Sequence, residues 1–206
     1  MKEKLFTYIV AKCPNLSLDA HLRFELGEPY ENGTEERIQQ VVKRVCRLFE
    51  EVFNPNDYVY IYIKDWETED IMFGNTTPDY IYELLREHIL EEETLYELDE
   101  DYDESGEVVE IKKEYKVKIS YAMVNSIPYK EILEGIGNYE QGREPSISQS
   151  VFFICPSKDI IFHMYDDRGC TIDSDHSDKL DFLYHKYNDW LVDYWREYFD
   201  SIFKKA

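Results

Sequence analysis

Apolar residues recur every three or four positions in several stretches of the chain, which is the pattern of helices with one buried face. The clearest pattern runs from Glu35 to about Phe53, with Thr34 ahead of it as an N-cap. The longest runs from Ser177 to Phe203 and carries an aromatic stripe. It predicts one helix laid across a sheet, with a partner or dimer face as the alternative. Shorter patterns predict helices over three further ranges: 5–12, 77–89 and 128–136.

Runs of β-branched and aromatic residues predict strands over three ranges: 21–26, 58–63 and 108–121. Two more runs, 150–155 and 159–165, are joined by a three-residue turn and make the clearest hairpin pattern of the chain. These elements predict an α+β fold as a single domain. We expect a mixed or antiparallel sheet, a hairpin near 150–165 packed by helices, and a long C-terminal helix. A chain of 206 residues is long enough to bury one such core.

The charge of the chain is concentrated in one quarter of the sequence. The net charge is -21, and residues 65–110 hold 18 Asp and Glu against a single base, Arg86. The rest of the chain carries only -4. Within the acidic quarter, residues 91–110 are low in complexity, and we expect a solvated excursion with a turn near 103–106. A dense field of one sign attracts oppositely charged partners and repels nucleic acid and anionic membranes.

We therefore predict a basic protein as the partner, with a toxin among the candidates, and neither nucleic acid nor membrane. No oligomeric state follows from the sequence. Four acids between 99 and 110 share the spacing of a calcium-binding loop, but the position that requires glycine holds Glu104, so no metal site is predicted. The predicted partner-binding residues are nine acids of the excursion: Glu91, Glu92, Glu93, Glu97, Asp99, Glu100, Asp101, Asp103 and Glu104.

The most distinctive local sequence is YDDRG at 165–169. We interpret it as a structural turn whose carboxylates cap backbone N–H groups, formed by four residues: Asp166, Asp167, Arg168 and Gly169. A sharper hypothesis is that the two carboxylates hold a metal or act as acid and base, together with three nearby residues: His163, Asp173 and His176. Adjacent residues of a strand face opposite sides of a sheet, which argues against convergence on one ion.

Cysteine spacing, apolar runs and catalytic motifs bear on where the protein is located and whether it is an enzyme. Four cysteines at long intervals predict free thiols, and no apolar run approaches the length of a membrane helix, so we expect a cytoplasmic protein. Motifs of hydrolases, zinc proteases and nucleotide-binding sites are missing from the sequence, and its five histidines lack ligand spacing. We therefore predict no catalytic residues and no cofactor.

The C-terminal part of the chain resembles a bacterial family known only as a domain of unknown function. The resemblance rests on the hairpin that ends in YDDRG and on the aromatic stretch after it, which carries Leu183, Tyr184, Tyr187 and Trp190. Two upstream segments, RFELG at 23–27 and FNPND at 53–57, are also similar. The resemblance implies a small cytoplasmic α+β protein of Firmicute-like bacteria, of the sort found beside toxin genes, and supplies no catalytic residues.

Three classes of function follow from these observations. In the first, the protein is an inhibitor of the immunity type that covers a basic partner with its acidic surface and performs no catalysis. In the second, it is a scaffold or regulatory module whose acidity provides solubility only. In the third, it is a metal-dependent enzyme that uses the region of Asp166 and Asp167.

Overall fold

The computed structural model describes residues 17–66, 77–102 and 107–204 of the chain. The described residues form seven strands: β1 (Ala20–Glu25), β2 (Tyr58–Asp65), β3 (Ile89–Tyr102), β4 (Val108–Met123), β5 (Ser150–Cys155), β6 (Ile160–Asp166) and β7 (Gly169–Ser174). They also form five α-helices: α1 (Glu35–Val52), α2 (Tyr80–Leu84), α3 (Tyr129–Tyr139), α4 (Asp181–Lys186) and α5 (Arg196–Phe203). Short 3₁₀ turns lie at Val124–Ser126, Ser177–Lys179, Asn188–Trp190 and Asp193–Trp195.

The seven strands join in one sheet in the order β1-β7-β6-β5-β2-β4-β3, and every neighbouring pair is antiparallel. This arrangement confirms the α+β class and selects the antiparallel alternative. The predicted hairpin is β5 and β6, with Phe153 opposite Phe162. Strand β7 was not predicted, because its sequence GCTIDS mixes small and polar residues and lacks a dense run of β-formers.

The two faces of the sheet bury different sets of side chains. On β2, Ile61 and Ile63 belong to the main core with α1, α3 and the C-terminal segment, whereas Tyr62 between them belongs to a second cluster. This alternation is what a strand buried on both faces requires. The second cluster on the opposite face is smaller and has five buried members: Tyr62, Val117, Ile119, Ile154 and Ile161.

Helix α1 forms as its sequence predicts. The Thr34 hydroxyl oxygen accepts the backbone N–H of Arg37 at 3.3 Å, and Glu35 and Glu36 place negative charge at the helix N-terminus. Its apolar stripe is buried at six positions: Ile38, Val41, Val45, Leu48, Phe49 and Val52. The helix therefore begins at an N-cap and is held against the sheet by one face.

Phe49 is the residue through which α1 contacts most of its neighbours. Its ring lies 4.5 Å from that of Tyr129 on α3, 5.0 Å from Phe153 on β5 and 5.3 Å from Phe162 on β6, measured between centroids. The side chain is fully buried. One aromatic ring thus joins two helices to the central hairpin, and the edge and stacked geometries add to the burial energy.

The C-terminal segment differs from the single long helix that its pattern predicts. Helix α4 ends at Lys186, α5 begins at Arg196, and the chain between them turns twice. In that interval Leu191 forms an isolated bridge with Phe24, and the Val192 N–H donates to the Arg23 carbonyl at 3.0 Å. The aromatic spacing was helical, but the intervening Asn, Asp and Val have low helix propensity, and pairing with β1 outweighs continuation of the helix.

The acidic segment also differs from its prediction as a solvated excursion. Over residues 89–102 it is strand β3, which pairs along its length with β4 as a long hairpin. The helix expected over 77–89 is correspondingly short, because α2 ends at Leu84 and β3 begins at Ile89. The turn expected near 103–106 lies outside the described residues.

Three other expectations concern the remainder of the chain. The predicted helix at 5–12 lies outside the described residues, as does Cys13, while Cys46, Cys155 and Cys170 are free and buried. The helices in the described part of the chain are too short or too polar to cross a bilayer.

Replacement of Phe49 by Ala is expected to lower the free energy of unfolding by about 3–5 kcal/mol, because it leaves a cavity among three aromatic rings. Urea denaturation followed by circular dichroism measures the change. Tyr194→Ala is the matched control, since that ring is 88% exposed, and its cost should stay below about 0.5 kcal/mol. Equal effects of the two substitutions would contradict the central role of Phe49.

Candidate functional site

The predicted partner-binding acids belong to the β3–β4 hairpin. Seven of the nine lie on β3, and the other two, Asp103 and Glu104, lie outside the described residues. Glu92 and Glu93 are exposed. The strand therefore carries a row of acids at the edge of the sheet, since β3 pairs with β4 and with no other strand of the described chain.

Lysines of β4 lie opposite the half of β3 that is closer to the body of the sheet. Lys118 is the register partner of Glu92, with Nζ and Oε2 3.8 Å apart, and Lys113 is the partner of Glu97. Across residues 89–98 and 111–123 there are five acids and four bases. This compensation was invisible in the sequence, where the lysines follow the acidic quarter instead of lying beside it.

The amino-acid composition is different at the far end of the hairpin. The acidic tip, defined here as residues 99–110, holds seven acids and no base. Within it Glu100 lies directly opposite Glu110 in the strand register. Like charges at directly opposed positions destabilise a strand pair. Of the 18 acids in residues 65–110, seven therefore belong to this tip, and no base of the sequence lies among them.

Apolar side chains are also exposed on this hairpin. Leu98 is 65% exposed, Val108 is 55% exposed and Tyr96 is 52% exposed. The Lys112 ammonium lies 3.6 Å from the centroid of the Tyr96 ring, so this aromatic face holds a cation. A surface that combines acids with exposed aromatic and aliphatic groups is suited to protein contact.

The second candidate region forms where the RFELG and YDDRG segments meet. Arg23 of β1 donates from Nε to the Tyr165 hydroxyl at 2.8 Å, and the Leu26 N–H donates to the Arg168 carbonyl at 2.9 Å. In the β1–β7 ladder Glu25 lies opposite Gly169. Two segments that are about 140 residues apart in sequence are therefore neighbours at the same end of the sheet.

Arg37 of α1 binds both of these segments from the core side. Its Nε donates to Asp167 Oδ2 at 2.5 Å and its Nη1 donates to the Tyr30 carbonyl at 2.7 Å. The ion pair is almost fully buried, with side-chain exposures of 5% and 1%. The guanidinium lies directly against Gly27, where an added Cβ would be 2.3 Å from Cζ. Only glycine leaves room for this close approach.

Two more polar residues of α1 extend this contact. Gln40 donates to the carbonyls of Leu26, Gly27 and Glu28, and Arg44 donates to those of Leu26 and Glu28. Positions 37, 40 and 44 share one helix face, so a polar stripe binds the loop after β1. This stripe was not predicted from the sequence, although long polar residues at that spacing beside an apolar helix face are a signal for it.

Asp166 is held separately from Asp167. Its Oδ1 accepts the backbone N–H of Arg168 at 2.7 Å and its Oδ2 accepts the Arg168 Nε–H at 2.8 Å. These bonds raise the pKa of Arg168 further above its usual value. Burial and the nearby Asp166 carboxylate raise the pKa of Glu140, which lies 3.5 Å from the Arg168 guanidinium. Asp166 thus caps a backbone N–H group of the turn, while Asp167 binds the guanidinium of Arg37.

The residues of the metal hypothesis are not brought together. Asp166 and Asp167 bind arginines, while His176 Nε2 lies 3.5 Å from Asp159. Burial raises the pKa of Asp173 to about 7, and its carboxylate accepts hydrogen bonds from Thr171 and from the Leu18 backbone. In the parts of the chain that the structure describes, no group of three or more His, Cys, Asp or Glu is arranged to hold a metal ion.

His163 belongs to the second face of the sheet. Its ring stacks on Phe152 with the centroids 3.9 Å apart, and its Nε2 is buried with no hydrogen-bond partner. Burial lowers the pKa of His163 to about 4, with a smaller opposing effect of Asp166. The imidazole is therefore neutral at physiological pH and behaves as an aromatic packing group.

The FNPND segment lies apart from these two regions. The Asp57 carboxylate accepts the Asn54 N–H at 2.6 Å and pairs with Lys158 Nζ at 2.5 Å. Lys158 also donates to the Val52 carbonyl at 2.7 Å. This segment closes the C-terminus of α1 against the turn between β5 and β6.

Comparison with known proteins places these segments within one family model. The model described as a domain of unknown function, DUF3885, matches residues 7–195. The uncharacterized protein YnaE of Bacillus subtilis strain 168 is 36% identical over 70 residues, which is 31% of this chain and 33% of that protein. The chain thus spans about a third of the length of that relative. No solved structure matches the chain.

Asp167→Ala is expected to lower the free energy of unfolding by about 3–5 kcal/mol, because it leaves the Arg37 guanidinium buried without its counter-charge. Asp193→Asn is the control, since Asp193 pairs with Arg196 but is 97% exposed and should contribute less than about 1 kcal/mol. Chemical denaturation of both variants measures the difference. A loss in Asp167→Ala as small as that of the control would show that the buried pair does not hold the turn.

His163→Phe is expected to flatten the acid side of the stability profile. The folded-state pKa of about 4 lies below the unfolded value of about 6.5. As pH falls between these two pKa values, His163 is protonated in the unfolded chain but stays neutral in the folded chain. The free energy of unfolding therefore decreases. The wild type should lose about 3 kcal/mol from this residue between pH 7 and pH 4, and the variant should lose none of it.

Urea denaturation at a series of pH values measures this difference between His163→Phe and the wild type. His185→Gln serves as the control, because His185 is exposed, and its profile should follow that of the wild type. Parallel profiles for His163→Phe and the wild type would show that His163 is protonated as readily in the folded chain as in the unfolded chain.

Proposed function

Since the chain belongs to the DUF3885 family of unknown function, we propose from its geometry that it binds a basic protein through the acidic tip and performs no catalysis. In this proposal it acts as an inhibitor of the immunity type in the cytoplasm, and toxins are among the candidate partners. Nucleic acid and anionic membrane are poor partners for this surface, because its field repels them.

The observation that carries the proposal is the contrast between the two halves of the hairpin. Five acids and four bases nearly balance in the half next to the sheet, whereas the tip has seven acids and no base. Placing Glu100 opposite Glu110 costs stability in the isolated protein. A basic partner would remove that cost on binding, so the like-charge pairing favours association.

Two further features support protein contact at this place. The exposed Leu98 and Tyr96 offer apolar area beside the acids, and such anchors supply affinity that charge alone does not. Strand β3 is also separated from β6 and the arginine-bound turn after it by three strands of the sheet, β5, β2 and β4. Substitutions at the tip can therefore test binding without disturbing the contacts that hold the core.

The solubility-only alternative predicts that the position of the acids does not matter. A tip variant replaces six acids by amides: Asp99, Asp101 and Asp103 by Asn, and Glu100, Glu107 and Glu110 by Gln. A body variant neutralises six exposed acids elsewhere: Glu36, Glu131, Glu134 and Glu197 by Gln, and Asp178 and Asp189 by Asn. The two variants have the same net charge and differ only in where it lies.

Each protein is immobilised and used to capture basic proteins from a bacterial lysate at low salt. The wild type and the body variant should retain the same partner, and the tip variant should lose it. With the captured partner, the association rate of the wild type should fall roughly tenfold or more from about 20 mM to about 300 mM salt. If both variants retain the partner equally, or if the association rate does not change with salt concentration, the acids have a solubility role only.

A further inference from the structure

The two edge strands of the sheet differ in whether another part of the described chain covers them. At one edge, the C-terminal segment covers β1 through the Leu191–Phe24 bridge and the hydrogen bond from Val192. At the other edge, β3 pairs with β4 alone, and no other described backbone bonds to it. The fold thus closes one edge with its own chain and leaves the acidic edge unpaired within the described residues.

The open edge is long. Strand β3 has 14 residues, which corresponds to about 46 Å at about 3.3 Å per residue. In an antiparallel pair every second residue turns its N–H and C=O away from the neighbouring strand. Such a row of outward backbone groups is a template for another extended chain.

The negative charge of β3 determines which kind of extended segment can pair with this edge. A second copy of β3 would set acids against acids, since this strand has seven acids and no base. An extended segment rich in Lys or Arg would instead place cations beside those acids. The charge of the strand therefore favours a basic segment over a second copy of the chain.

We propose that β3 is a docking edge that takes an extended, Lys- or Arg-rich segment of the basic partner as an eighth strand of the sheet. This inference rests on the proposed function and specifies how the partner is held. The acids of β3 attract the segment, backbone hydrogen bonds along the strand supply affinity, and alternate side chains supply selectivity.

The test uses the full chain and a synthetic probe, a capped peptide of about ten residues that alternates Lys and Thr. A second peptide is N-methylated along one of its two edges, and a third along both edges. N-methylation removes backbone donors without changing charge. The peptide and its one-edge version should bind equally well, and the version blocked on both edges should bind about tenfold or more weakly.

Hydrogen exchange of the β3 amides, followed residue by residue by NMR, provides the second readout. On addition of the unmodified peptide, every second amide of β3 should gain protection. The amides between them should not change, because they are already bonded to β4. Uniform or absent protection would overturn the proposal.

The outcomes separate the two proposals. If all three peptides bind equally and the tip variant weakens all of them, docking is purely electrostatic; the edge inference is then wrong and the acidic-surface function stands. If the unmodified peptide does not bind, the edge inference is also wrong, and the capture experiment decides the function by itself. If blocking both edges abolishes binding and the tip variant weakens it, both proposals are supported.

Discussion

The buried ion pair between Arg37 and Asp167 is the interaction on which this end of the fold depends. An arginine and a carboxylate out of contact with water are tolerated only when both remain and their other groups are satisfied. Here the guanidinium also binds the Tyr30 carbonyl and lies against Gly27. One side chain of α1 thereby binds both the loop after β1 and the turn before β7, and it acts together with the β1–β7 ladder and the hydrogen bond from Leu26 to Arg168.

Pairing of opposite charges recurs at several places in the body. Asp57 binds Lys158, Asp166 binds Arg168, and Glu51 binds both Arg47 and Lys186. In the β3–β4 hairpin, bases lie opposite or near the acids only as far as the lysines of β4 extend. The position of the base-free stretch at 99–110 is more informative than the net charge of the chain, because it shows where acids are densest in the sequence.

Local patterns predicted the elements that depend on local forces. Helix α1 was readable from Thr34 and its apolar stripe, and the β5–β6 hairpin from two dense runs of β-formers. Elements set by distant pairing were not readable. The helical spacing at 177–203 gave no sign that Leu191 pairs with β1, and acidic composition hid β3, whose partner lysines come later in the chain. Among the candidate residues, the YDDRG turn was predicted, but Arg37 was missed because its partner is 130 residues away.

The distribution of the acids along the open edge bears on what they are for. Charges protect an exposed edge against pairing with another copy, and for that purpose one charged side chain every few residues suffices. Glu92 and Glu93, together with the lysines of β4, already meet this need on the half next to the body. Protection does not explain a further seven acids at 99–110, a stretch whose sequence contains no base and in which Glu100 faces Glu110 at a cost to stability. An excess of one sign at the end of an open strand is instead the arrangement that draws in a basic chain and aligns it with the edge.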